Sequence, residues 1–180
     1  MGWHTRAAWV QASHYLIAPR SETKGLLVSY AVYKFLHLLG TVLLVGNVTV
    51  TSVWKVFADR TRSPLVLRFA QRLVTYTDWA FTGGGIVLIV AGGYAMAWST
   101  GMSLTATWLL WGQLLFVASG VVWLFVLVPI QIRQARIAGQ FVHDSPIPDI
   151  YWHLGRRWLV WGIVATVPLI AAVFVMVAKP

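Results

Sequence analysis

The stretch Tyr30-Ala-Val-Tyr-Lys34-Phe-Leu-His37-Leu-Leu-Gly40-Thr41 opens the first long apolar run of the chain, and it sets a lysine and a histidine one helical turn apart. The run extends over about Leu27–Phe57. A hydrocarbon core of about 30 Å needs roughly 20 helical residues, so this segment is long enough to cross a membrane. Three more such runs follow, at about Phe81–Ser99, Thr107–Ile130 and Arg157–Ala178. A single segment in lipid must satisfy its own backbone, so each run is read as a helix. The predicted fold is all-α: a four-transmembrane-helix bundle over residues 27–180, preceded by an N-terminal interfacial arm over 1–26.

Composition agrees. Of 180 residues, 58% are hydrophobic and 11% charged, against about 25% charged in a soluble domain. Mean hydropathy is +0.71. The absence of cysteine excludes disulfides, thiolate metal sites and covalently attached c-type haem. The net charge of +9 does not mark a nucleic-acid binder, because the basic residues lie in links between apolar runs. Lys55, Arg60, Arg62, Arg68 and Arg72 follow the first run; Arg133, Arg136, Arg156 and Arg157 follow the third. The middle link, Thr100–Ala106, has no charge. The positive-inside rule then predicts that the two basic links are cytoplasmic and that both termini lie outside. Membrane lipids are the first expected partners.

The links carry their own signals. Ser63-Pro64 reads as a helix start, and Leu65–Thr77 as an amphipathic helix that lies on the surface or runs into the second span. Asp78 is expected to cap that span, and no carboxylate is expected inside the membrane. Asp149 is a candidate N-cap before the fourth span. Gly83, Gly84, Gly85, Gly92 and Gly93 in the second span predict close approach of a neighbouring backbone or a flat ligand.

At 100° per residue, Tyr30, Lys34, His37, Thr41, Val45, Val48, Ser52 and Lys55 fall within about a quarter of the helix circumference. That polar stripe is expected to face the bundle, with Lys34 and Lys55 snorkelling outward at its ends. His37 lies about one turn inside the outer boundary. Met96, Gln113 and Met176 have comparable depth, so they are candidates for one layer with it. One reading is a haem iron held by neutral His37, with Met96, Met176 or His14 as second ligand and the glycines making room for the porphyrin. The other is a histidine bonded across helices as packing glue. His153 is about 27 Å from His37 along the helix axis, too far for one iron. GxSxG, HExxH and GxxxxGK[ST] are all absent.

Tyr33-Lys34-Phe-Leu-His37-Leu-Leu-Gly40, Gly46-Asn47, Val53-Trp54-Lys55-Val-Phe-Ala58-Asp59-Arg60, Thr77-Asp78-Trp79-Ala-Phe81-Thr82, Pro129-Ile-Gln131-Ile-Arg133 and Met176-Val-Ala-Lys179-Pro180 resemble a bacterial family of predicted integral membrane proteins of unassigned function. That resemblance implies four spans and no particular activity. A more distant similarity is to the J-type membrane protoporphyrinogen IX oxidases, through Lys34 with His37 and through Pro168 followed by Lys179-Pro180. In that family the first-span histidine is linked to haem b, which implies a ligand role for His37. The chain departs from it at Gln113, where that family carries a lysine, and at Thr166-Val167, where it carries Asn-Glu. Those departures remove a cation and a carboxylate and count against the oxidase reaction.

The function expected from sequence is therefore haem b binding through His37, with a redox or electron-transfer role. Lys34 would pair a propionate, and Met96, Met176 and Gln113 are the further candidates for the site. The alternative is a non-catalytic structural or assembly subunit of a larger, respiratory-type membrane complex, or a homo-oligomer. An enzyme acting on a porphyrin or quinone through Lys34, Gln113 and Asp78 comes third.

Overall fold

The computed structural model describes residues 20–179, with side chains from Gly25 onward. Residues 1–19, with most of the expected arm and His14, lie outside the described residues. Six α-helices follow in order: α1 (Arg20–Thr61), α2 (Pro64–Thr77), α3 (Gly84–Thr100), α4 (Thr107–Val122), α5 (Val128–Gly139) and α6 (Asp149–Ala178). Among the described residues there is no strand. A π-helical turn at Asp78–Gly83 joins α2 to α3 without a break, and a second at Trp123–Leu127 joins α4 to α5. The result is four rods, each long and apolar enough to cross a membrane: Gly25–Thr61, Pro64–Thr100, Thr107–Gly139 and Asp149–Ala178.

The rods are longer than the apolar runs because polar helix continues past the apolar part. Arg20–Leu26, assigned by sequence to the arm, forms the first turns of α1. The amphipathic segment after Ser63 runs straight into the second span. Ser63 takes the extended N-cap conformation before Pro64, yet its hydroxyl makes no capping bond. Pro148, not Asp149, stands at the N-cap of the fourth rod. Asp149 sits in the first turn, where its charge complements the helix dipole. Gly101, at φ 64°, closes α3 in a left-handed conformation that suits glycine.

The closest packing is between α1 and α3. A β-carbon on Gly40 would lie 2.7 Å from the Gly85 carbonyl oxygen, and one on Gly92 would lie 2.7 Å from both His37 N and Tyr33 O. Association in lipid lacks a hydrophobic drive and depends on such close contact. The α4–α6 pair has its own version: the Met176 methyl occupies the space a Gly112 side chain would need.

These two halves, α1–α3 and α4–α6, meet mainly through α2 and α5, at the end of the bundle that carries the basic links. Leu67, Ala138, Phe141 and Tyr151 form one buried cluster there; Val74 packs with Leu127, Ile130, Leu154 and Trp158 in another. Arg68 donates to the Phe141 carbonyl at 3.1 Å. Lys55 does not snorkel outward as expected. It is 2% exposed, and its ammonium meets Asp59 at 2.6 and 2.7 Å and the Tyr151 hydroxyl at 3.2 Å. A carboxylate one turn away and a phenol across the joint supply the partners that a buried ammonium needs.

Two stability predictions follow from this packing. Gly40→Ala and Gly92→Ala should each cost about 1–3 kcal/mol by overpacking, whereas Gly46→Ala, which meets nothing within 4 Å, should be close to neutral. Asp59→Asn leaves a buried ammonium without its counter-charge and should cost about 3 kcal/mol. Thermal unfolding of the detergent-purified variants measures both.

Candidate functional site

His37 lies in the α1–α3 seam. Its Nδ1 is 2.8 Å from the Ile89 carbonyl oxygen. A carbonyl only accepts, so Nδ1 carries the hydrogen, and in neutral imidazole the lone pair is left on Nε2. The ring covers Gly93, where a β-carbon would stand 3.1 Å from Nδ1 and 3.3 Å from Cε1. The expectation that glycines make room for a flat ligand is met differently: α1 itself fills the room at Gly85 and Gly92.

The expected single layer is divided between the two halves. Lys34 is exposed one turn beyond His37 on α1, and Met96 is half-buried one turn beyond Gly92 on α3. Met176 packs on Gly112 within the other half. The Gln113 amide donates to the Leu104 and Leu109 carbonyls at 3.0 and 3.2 Å and accepts from the Tyr94 hydroxyl at 3.0 Å. Tyr94 to Gln113 is thus a direct bridge between the halves at this end. Among the described residues, no three His, Asp or Glu side chains gather into a metal site.

The buried face of α1 runs through Gly40, Leu44, Thr51 and Lys55. It is rotated by roughly 60° from the polar stripe read off the sequence, counting 100° per residue. Lys34 lies about 90° from the centre of the buried face, counting 100° per residue, and is exposed.

Between the halves lies a cavity of about 300 Å³. Leu44, Val48, Thr51, Asp78, Thr82 and Ile86 line one side, and Phe116, Ser119, Trp123, Trp158, Ala165 and Leu169 the other. Both π-helical turns border it, through Asp78 with Thr82 and through Trp123 with Leu124. Its width comes from small residues: Gly120 on α4 and Gly162 on α6 both line it, and a β-carbon on either would meet nothing within 4 Å.

Asp78 therefore does not cap a separate span, and the chain does carry a carboxylate inside a membrane-crossing rod. It is 8% exposed. Its Oδ1 accepts from Thr82 at 3.0 Å and from Asn47 at 3.2 Å; its Oδ2 faces the Trp123 indole N–H at 3.5 Å. Asn47 also donates to Thr82 and accepts from Thr51, each at 3.0 Å. Asn47 precedes Lys55 by eight residues, which puts this network about 12 Å deeper along α1 than the lysine. Between the two levels, Gln71, Gln131 and Gln134 are at most 3% exposed, and each has an amide oxygen without a hydrogen-bond partner.

Asn47 and the three glutamines are polar groups the sequence reading missed, and Asp78 reads there as a cap and a third-ranked substrate-facing group, though a signal for its burial was present. Leu67, Gln71, Val74 and Asp78 recur at helical spacing and form one buried face, roughly 110° around the helix from Arg68 and Arg72. Two other histidines fall among the described residues, and both are away from the His37 seam. His153 is exposed and 2.9 Å from the Arg156 guanidinium; His143 and Asp144 form an exposed pair at 2.6 Å.

No curated protein and no solved structure matches the chain. Residues 31–180 match a family described as predicted integral membrane proteins, DUF2269. That match takes in all four rods, the His37 seam and the Asp78 cavity, and the chain belongs to this family of integral membrane proteins.

Proposed function

We propose that this integral membrane protein binds haem b through His37 and serves in electron transfer. The observation that carries the reading is the bond from His37 Nδ1 to the Ile89 carbonyl. It orients the imidazole and leaves Nε2 as the basic nitrogen, the arrangement that metal-bound histidines take. Bound haem supplies a one-electron carrier. His37 would hold it, and the exposed Lys34 ammonium would meet a propionate by a charge-assisted bond. Of the candidate thioethers, Met96 stands on the same half as His37 and Met176 on the other. A visible spectrum of the protein purified in mild detergent tests this. A Soret band that disappears in His37→Ala is expected; no Soret band, even after haem is added during expression, overturns it.

A second reading is an assembly subunit of a larger membrane complex. It is favoured by the same seam, because His37 fastens α1 to α3 without any ligand, and by Gln113, whose amide is fully engaged in joining the halves. Stoichiometric partners that co-purify with the His37→Ala variant as they do with the native chain would support it.

For either role we propose an inner-membrane orientation with the basic end in the cytoplasm. The chain has no cysteine, so single substitutions report the topology cleanly. A membrane-impermeant maleimide added to intact cells should label Ser103→Cys and spare His143→Cys. The reverse pattern would invert the orientation.

A further inference from the structure

The cavity between the halves is separate from the His37 seam, and His37 does not line it. Its walls are apolar and aromatic over most of their area, and it lies between four membrane-crossing rods. The groups that give it chemical character are Asp78 and a few hydroxyls, Thr51, Ser52, Thr82, Ser119 and Thr166. Of the hydroxyls, Thr51, Ser52, Ser119 and Thr166 already donate within the protein: to Asn47, to the Val48 carbonyl, to the Ala165 carbonyl and to the Gly162 carbonyl. Thr82 donates to Asp78 itself. The hydroxyls therefore have no hydrogen left to give a ligand and can only accept. The one group in the lining that can carry charge is the carboxyl.

The shell of Asp78 is made of donors. Asn47, Thr82 and Trp123 all give a hydrogen to it, and none of them carries charge. A carboxylate offers about four acceptor positions. Oδ1 takes two bonds, while Oδ2 has the indole contact at the outer limit of hydrogen-bond length, with the neutral Gln131 side chain also within reach of the carboxyl. The bundle's buried ammonium does not compensate it: Lys55 is held by Asp59, about two turns away along α1. An acidic group inside a bundle is ordinarily paired within the protein. Here the carboxyl, bonded only by neutral groups, lines a space walled by Phe116, Trp123 and Trp158, and aromatic faces attract a desolvated cation.

We propose that this cavity is a binding site for a lipophilic organic cation, an amine or quaternary ammonium attached to an apolar body. Asp78 supplies the counter-charge, and the Phe116, Trp123 and Trp158 rings enclose the cationic group. The part of the cavity lined by Gly120 and Gly162 takes the apolar body. Such a ligand reaches the site by partitioning into the bilayer. The site needs no cofactor, so it is independent of the haem reading.

Phenyltrimethylammonium and tert-butylbenzene have nearly the same shape and differ in charge, so the pair isolates the role of Asp78. With the full chain in lipid nanodiscs, titration is followed by calorimetry and by tryptophan fluorescence. The ammonium should bind saturably at one site and at least tenfold more tightly than the hydrocarbon. Asp78→Asn should remove that preference, and Gly162→Leu should abolish binding of both probes by filling the cavity. Gly162→Leu keeps the Asp78 network intact, so it tests the site even if Asp78→Asn fails to fold. Equal affinity for the two probes in the native chain, or ammonium binding unchanged in a folded Gly162→Leu protein, overturns the proposal.

Discussion

The rest of the bundle depends on the backbone contact between α1 and α3. Water drives helices together by burying apolar side chains, but lipid is as apolar as leucine and offers no such gain. What is left is close packing and polar bonds, both of which need backbones at short range. Gly40, Gly85 and Gly92 provide it, because a β-carbon at any of them would fall within 3.0 Å of the opposing backbone. Once Gly40 is set against Gly85, the antiparallel register is fixed along both rods. His37 comes to Gly92 and Ile89 at one end, and Asn47 comes to Asp78 and Thr82 at the other. The two candidate sites are consequences of a single register.

The second half has no matching run of glycines toward the first, and the two halves differ in how tightly they meet. At the basic end, α2 and α5 close the joint with two apolar clusters and the Lys55–Asp59–Tyr151 network. Toward the other end, Tyr94 and Gln113 touch, and the cavity lies between. The π-helical turns sit where tight joint gives way to cavity. An extra residue per turn shifts the facing of every residue after it, and such bulges often mark functional positions. Here one turn carries Asp78 and the other Trp123, and these two side chains meet across the gap.

Much of this was legible in the sequence, and the parts that were not share one cause. Four apolar runs gave four rods because spanning lipid leaves a chain few alternatives. The glycines of the second span announced close approach, though the residues alone left open whether a backbone or a ligand would come close. The buried polar groups were missed because hydropathy averages over a window and ignores facing. Asp78 stands where the apolar run begins, which looks like a cap; it became internal because α2 continues into α3 without a break. Lys55 looks like a boundary residue that reaches for water, and only the fold brings Tyr151, 96 positions away, within 3.2 Å of it. Long-range partners of that kind leave no local pattern.

His37 and Asp78 differ in what the bundle would lose without them. The imidazole closes a seam that glycines already hold, so packing alone accounts for its place. The carboxyl has no comparable account. A bundle selected only to stand in a membrane gains nothing from an acid whose partners are all neutral, and desolvating such a group is costly. It also gains nothing from Gly120 and Gly162 lining a gap where an added β-carbon would meet nothing within 4 Å. Closer packing of that gap would strengthen a joint that is otherwise concentrated at one end. An acid without a counter-charge, at an unfilled cavity, beside two irregular turns, sacrifices stability at three points around one space. That convergence makes the cavity, more than the histidine seam, the part of the fold that packing does not explain.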